Sequence, residues 1–157
     1  MMTHLCCDVL KALNGKTLVT AESCTGGGIG AALTAIPGSS SVYKGGIICY
    51  TNWVKEHLLC VPADLLDREG AVSAPVAEAM AKGAKKQLQA DVAVSVTGLA
   101  GPSGDEYGNP VGTVFIGYCD DKECISLRFF FVGDREAVRT QAIEEALKLV
   151  RQKAVDF

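Results

Sequence analysis

The chain has 157 residues, 48% of them hydrophobic and 21% charged, with a formal net charge of −3. This is the composition of one globular domain; it sets aside intrinsic disorder, a basic nucleic-acid footprint and, with no apolar run of the needed length, a membrane span. The opening stretch "MMTHLCCDVLKALNGK" lacks the basic and apolar regions of a secretory signal, so the expected location is the cytoplasm.

In chain order, residues 2–13 predict a helix that ends at the Asn14–Gly15 stop signal. "KTLVTAES" predicts a buried strand running into the loop "CTGGG" and a helix of small residues that stops near Pro37–Gly38. "GGIICYT" predicts a second strand, and "NWVKEHLL" a short helix with Asn52 as its N-cap. A helical turn in "PADLLDREG" precedes a longer helix capped by Ser73, with Pro75 in its first turn and Val76, Met80, Ala84 and Leu88 every fourth residue. "DVAVSVTG" predicts a central strand. After the loop "LAGPSGDEYGNP", the strands "GTVFIGYCD" and "ECISLRFFFVG" predict an antiparallel hairpin, followed by a final helix capped by Asp134. Strand–helix alternation ending in a hairpin implies a single-domain α/β fold, a three-layer α/β/α sandwich with a mixed sheet.

Seven cysteines stand at 6, 7, 24, 49, 60, 119 and 124 with no C-x-x-C pair. That spacing argues against a metal site or a disulfide framework, and Cys49 and Cys119 are expected as small core hydrophobes.

Ligands of α/β sheets gather where strands end in glycine-rich loops, and three polar loops qualify: Ser23–Gly28, Ser39–Ser41 and Thr97–Gly104. "ESCTGGG" offers unencumbered backbone N–H groups of Gly26, Gly27 and Gly28 at a helix start, with the hydroxyls of Ser23 and Thr25 beside them, a setting for an anion or a carbonyl oxygen. It has neither a Walker motif nor dinucleotide spacing. The run "GSSSVYKGGIICYTNWVK" sets serines before a strand and Tyr50 and Lys55 after it. A hydroxyl needs a base to become a nucleophile, and the two histidines are badly placed: His4 is near the terminus, and His57 points away from Lys55 on its helix. A desolvated, neutral lysine can take that part, and Tyr50 can relay a proton or donate to an oxyanion. Cys24 is a rival nucleophile if exposed as a thiolate.

The segments "TAESCTGGGIGAALTAIPGSS", "GGIICYTNWVKEHLL", "GAVSAPVAEAMAKGA", "DVAVSVTGLAGPSG", "NPVGTV" and "VGDREAVRTQAIEEAL" together resemble the C-terminal domain of the competence/damage-inducible CinA proteins, over about residues 16–150. The resemblance implies an amidase that hydrolyses the carboxamide of nicotinamide mononucleotide to nicotinate mononucleotide and ammonia, without metal or cofactor. It implies a catalytic set of Ser40, Tyr50 and Lys55, with Ser40 chosen over Ser39 and Ser41 by the ten-residue gap back from the tyrosine. Substrate phosphate and ribose are expected against Thr25–Gly28 and Thr97–Gly101, with Ser23, Asn52, Gly98 and Arg135 among the binding residues. Asp105 and Asn109 depart from the family pattern and are expected to weaken phosphate binding. The expected partner is a small nucleotide substrate rather than a nucleic acid or membrane, and the expected assembly is a homo-oligomer. No pyrophosphatase activity is expected, since the larger N-terminal domain of full CinA proteins is missing. The alternative implied by the same family is a catalytically silent nucleotide-binding or adaptor module.

Overall fold

The computed structural model describes residues 2–155. Five strands form one mixed sheet in the order β2-β1-β3-β4-β5: β1 Leu18–Glu22, β2 Tyr43–Ile48, β3 Val92–Gly98, β4 Thr113–Cys119 and β5 Cys124–Phe130. β1 runs parallel to both β2 and β3, whereas β4 and β5 are antiparallel additions closed by the expected hairpin. The helices are α1 Met2–Ala12, α2 Gly28–Thr34, α3 Asn52–Leu59, α4 Ala63–Glu69, α5 Ala74–Gln87 and α6 Arg135–Ala154. Among the described residues no helix is long and apolar enough to cross a membrane.

Alternation along the strands builds the layers, because successive side chains leave a strand on opposite faces. Leu18, Val92, Val94, Val96, Val114 and Ile116 pack with α1, α2 and α6. Val19, Ala21 and Ala93 point the other way and pack with Leu59 of α3, Leu66 of α4 and Val76, Met80 and Ala84 of α5. The same parity decides the polar residues at the end of β1. Thr20 and Glu22 belong to the α2 face, and Ser23, the next residue, turns toward α3. At two places the helix layer lies directly on backbone: a Cβ on Gly83 would collide with Leu59 O, and one on Gly117 with Ala77 O.

The local expectations hold with instructive departures. Asp134 caps α6, its carboxylate accepting from Ala137 N at 2.9 Å. The cap of α3 is Thr51 rather than Asn52: Thr51 has the extended backbone an N-cap needs and accepts from Val54 N at 3.5 Å, which leaves Asn52 as the first helical residue. Ser73 occupies the cap position of α5, but its hydroxyl donates backwards to Gly70 O at 2.9 Å. Cys119 is buried as expected, yet it is not a free thiol. It faces Cys124 across the hairpin and is bonded to it, which corrects the expectation of a chain without disulfides; two cysteines flanking a tight turn become cross-strand neighbours.

Candidate active site

The C-terminal ends of the three parallel strands open into a cleft of about 310 Å³. β1 delivers Ser23 and Cys24, the β2–α3 connection delivers Tyr50, Asn52 and Lys55, and the loop after β3 supplies Thr97, Gly98 and Gly101. Ala71 and Val72 form one wall, and Arg135 from the first turn of α6 stands at the rim.

At its base lies a buried lysine. Lys55 is only 1% exposed, and its Nζ donates to Cys49 O at 2.8 Å and meets Ser23 Oγ at 3.0 Å. No carboxylate pairs with it in these contacts. Burial therefore lowers its pKa, opposed weakly by the Cys49 and Cys24 thiols nearby. Burial also pushes both thiols up, each to about 11, although Arg139, Lys55 and Arg135 draw Cys24 the other way. Cys24 lines the cleft as a neutral thiol, without the thiolate character a cysteine nucleophile requires.

The rim is more polar and more open. Arg135 donates through Nη1 to Gly101 O at 2.6 Å and through Nη2 to Tyr50 Oη at 3.2 Å, joining the β3–β4 loop to the β2–α3 connection. Tyr50 is 60% exposed, so it stands at the mouth and not between the serine and the lysine. Thr97 is buried below, its hydroxyl donating to Ala71 O at 2.8 Å and fixing the opposite wall.

A family model described as the CinA C-terminal domain matches residues 2–154. The chain belongs to the CinA C-terminal domain family. Among curated proteins it is 49% identical to a CinA-like protein of Parasynechococcus marenigrum over 89% of this chain and 34% of that one. It is 50% identical to a CinA-like protein of a Synechococcus strain over 91% and 35%. The chain thus spans about a third of the length of the curated relatives it matches. A competence-damaged protein (CinA) superfamily structure from Klebsiella pneumoniae superposes with a TM-score of 0.96 at 34% identity, over 100% of this chain and 99% of that one. Another CinA superfamily structure, from Escherichia coli, gives a TM-score of 0.94 at 35% identity, over 97% and 90%.

In this CinA domain the residues singled out from sequence divide into two groups. Ser23, Tyr50, Asn52, Lys55, Thr97, Gly98, Gly101 and Arg135 converge on the cleft. Ser40 does not join them. It is exposed on a 3₁₀ turn, Ser39–Ser41, at the beginning of β2, whereas Tyr50 and Lys55 follow the end of that strand. Six residues of strand separate the two ends, and at about 3.3 Å per residue that is roughly 20 Å. The hydroxyl at Lys55 belongs to Ser23.

Thr25, Gly26, Gly27 and Gly28 also lie outside the cleft. The anion-binding start of α2 is already filled by the protein's own Glu22, 2% exposed, whose carboxylate accepts from Ile29 N at 2.8 Å, Gly30 N at 3.0 Å, Thr25 Oγ1 at 2.8 Å and Thr20 Oγ1 at 3.1 Å. Gly28 serves packing instead, since a Cβ there would stand 2.5 Å from Ile143 Cδ1 of α6. His57 stays away from Lys55, stacked on Trp53 with its Nδ1 at 2.8 Å from Trp53 O. Sequence reasoning missed Glu22 as the internal anion and the Cys49 carbonyl as the anchor of Lys55. The alternation of β1 carried a signal for Ser23, because positions 19 and 21 face α3 and position 23 continues that row.

Proposed function

We propose that this chain hydrolyses the carboxamide of nicotinamide mononucleotide to nicotinate mononucleotide and ammonia, with Ser23 as nucleophile and Lys55 as base. The observation that carries the reading is the buried Lys55 Nζ at 3.0 Å from Ser23 Oγ, at the base of an open cleft. The amide substrate itself comes from the resemblance to nicotinamide-nucleotide amidases of the CinA family. The assignment moves the nucleophile from Ser40 to Ser23 and keeps Lys55.

A neutral Lys55 amine, with one hydrogen on Cys49 O, keeps a lone pair to accept the Ser23 proton. Ser23 Oγ then attacks the carboxamide carbon. We assign the oxyanion to the Cys24 N–H, the backbone donor that follows the nucleophile and that in the resting site meets the residue's own thiol. Collapse breaks the C–N bond, and the Lys55 ammonium returns its proton to the departing nitrogen, which leaves as ammonia. Water attacks the resulting ester with Lys55 again accepting a proton, and Ser23 is released with a carboxylic acid product. Arg135 at the rim offers the substrate phosphate a cation, and Tyr50 and Asn52 line the approach. The reading extends to a homo-oligomer in the cytoplasm.

Ammonia release from nicotinamide mononucleotide by the wild-type protein, and its loss in Ser23→Ala, tests the proposal. A folded protein that binds the nucleotide without releasing ammonia favours the silent binding module.

A further inference from the structure

Arg139 lies four residues after Arg135, one turn further along α6, and does not line the cleft. Its half-buried guanidinium instead donates through Nε to Cys24 O at 2.9 Å and through Nη2 to Thr25 O at 3.2 Å. These are the two carbonyls that immediately follow Ser23. The planar fork of an arginine fixes two acceptors in one geometry, which an ammonium cannot do. On the same α2–α6 side of the sheet, the Glu22 carboxylate holds Thr25 Oγ1 and the first N–H groups of α2. The turn that presents Ser23 is therefore held at two points, its carbonyls by Arg139 and its Thr25 hydroxyl by Glu22.

We propose that Arg139 is a positioning residue for Ser23, holding the Ser23–Cys24–Thr25 turn so that Oγ stays in line with Lys55 Nζ. This rests on the reading of Ser23 as nucleophile. The docking of α6 also has an apolar foundation independent of Arg139, in Val138, Ala142, Ala146, Leu147 and Val150 of the core. It follows that its loss is felt at Ser23 before it is felt in the fold.

The test compares wild type, Ser23→Ala, Arg139→Gln and Arg139→Lys in ammonia release from nicotinamide mononucleotide and in the rate of serine labelling by a fluorophosphonate. Arg139→Gln is expected to lower kcat on the order of 10²-fold, the size of effect that a misplaced reacting group produces. KM and the acid limb of the pH profile stay as in wild type, and Ser23 labelling slows along with kcat. Arg139→Lys falls between the two. A raised KM at unchanged kcat would make Arg139 a substrate contact and overturn the proposal, as would wild-type kcat and labelling in Arg139→Gln. If the Gln variant does not fold, a folded Lys variant that labels at the wild-type rate overturns it equally, and slowed labelling there supports it. Ser23→Ala separates the two ideas. Full turnover in that variant removes the nucleophile assignment itself, whereas an inactive, unlabelled Ser23→Ala beside a wild-type Arg139→Gln removes only the positioning role. The labelling arm reads the geometry of Ser23 even if the preferred amide is a different one.

Discussion

Ser23 and Ser40 lie at opposite ends of two neighbouring parallel strands, and they differ in each condition that nucleophilic chemistry sets. Ser23 follows β1, is nearly buried, and has Lys55 Nζ within hydrogen-bond distance. Ser40 precedes β2, is exposed, and belongs to a turn whose neighbour Ser41 donates its hydroxyl to Gly38 O. A serine run is conspicuous in a sequence, but conspicuousness carries no direction. What matters is which end of a parallel strand a residue occupies, because the parallel strands of such a sheet all release their chains into the same crevice.

The sharpest way to break the comparison is to remove each hydroxyl in turn. Ser23→Ala is expected to reduce amide hydrolysis by on the order of 10⁴–10⁶-fold, as loss of a nucleophile does, whereas Ser40→Ala leaves kcat and KM within about twofold, the range of an exposed substitution away from a site. Steady-state ammonia release decides it. Equal losses in both variants, or a loss confined to Ser40→Ala, would return the nucleophile to the serine run.

Lys55→Met is next in size, since it removes the base while filling the same volume. Activity falls nearly as far as in Ser23→Ala, and stability changes in a direction fixed by linkage. The folded-state pKa of Lys55 is lowered by burial from its ordinary value of 10.5. Between that lowered value and 10.5 the unfolded chain binds the proton that the folded chain lacks, so this group makes stability rise with pH. The contribution is complete above 10.5 and lost as pH falls through the folded pKa. The raised pKa values of Cys24 and Cys49, each about 11, work in the opposite direction. For this reason the informative quantity is the difference in unfolding free energy between wild type and Lys55→Met across alkaline pH. The difference is expected to favour the methionine most at the low end of that window. A difference independent of pH would mean that Lys55 titrates alike in the folded and unfolded chain, with no pKa lowered by burial, and the base assignment would fail. The acid limb of kcat/KM carries the same information, because activity requires the neutral amine and rises with pH as the amine forms.

A smaller effect belongs to the rim. Arg135→Gln removes the link between Gly101 O and Tyr50 Oη and the cation at the mouth. It is expected to raise KM for nicotinamide mononucleotide about tenfold with kcat little changed, the signature of lost ground-state binding to an exposed charge. A loss seen only in kcat would instead give Arg135 a role in the chemical step, and would weaken the contrast drawn between a reactive base and a binding rim.

Most of the fold was legible because strong local signals agreed with one another. Valine-rich β3 had to be central, the tight turn around Asp121 had to close a hairpin, and Asp134 had to begin a helix. The site was legible in its parts and wrong in one pairing. The serine run, the strand and the lysine were each recognised, but a strand of six residues cannot bring its two ends together. Alternation along β1, read from Val19 through Ala21, pointed to Ser23 as the hydroxyl on the α3 face. The glycine loop misled for a different reason. A helix start attracts anions, and nothing in "ESCTGGG" announces that the anion is Glu22 of the same chain, folded back on the turn it precedes. The grip of Arg139, 115 residues from Cys24, is a long-range contact that only the assembled layers bring about.

The smallest expected effect concerns the loop between β3 and β4, where the departures from the family pattern suggested weakened phosphate binding. Here Asp105 is occupied by its own loop: Oδ1 accepts from Tyr107 N at 3.1 Å and Asn109 N at 3.0 Å, and Oδ2 from Asn109 Nδ2 at 2.8 Å. Asn109 Nδ2 also reaches Val72 O at 3.1 Å, tying the loop to the cleft wall. The two substitutions therefore complement each other, carboxylate for amide, and they act on loop order more than on charge at the mouth. Asn109→Ala is expected to cost about 1 kcal/mol, or about 3 °C in Tm, the worth of partly exposed hydrogen bonds in a domain of this size. KM should hold within about twofold, since no hydrogen bond of Asn109 points into the cleft. Thermal unfolding and steady-state kinetics on the same preparation separate the outcomes. A Tm that stays put while KM falls would mean that Asn109 and Asp105 do oppose the phosphate, and the rim would then extend past Gly101 along the whole loop.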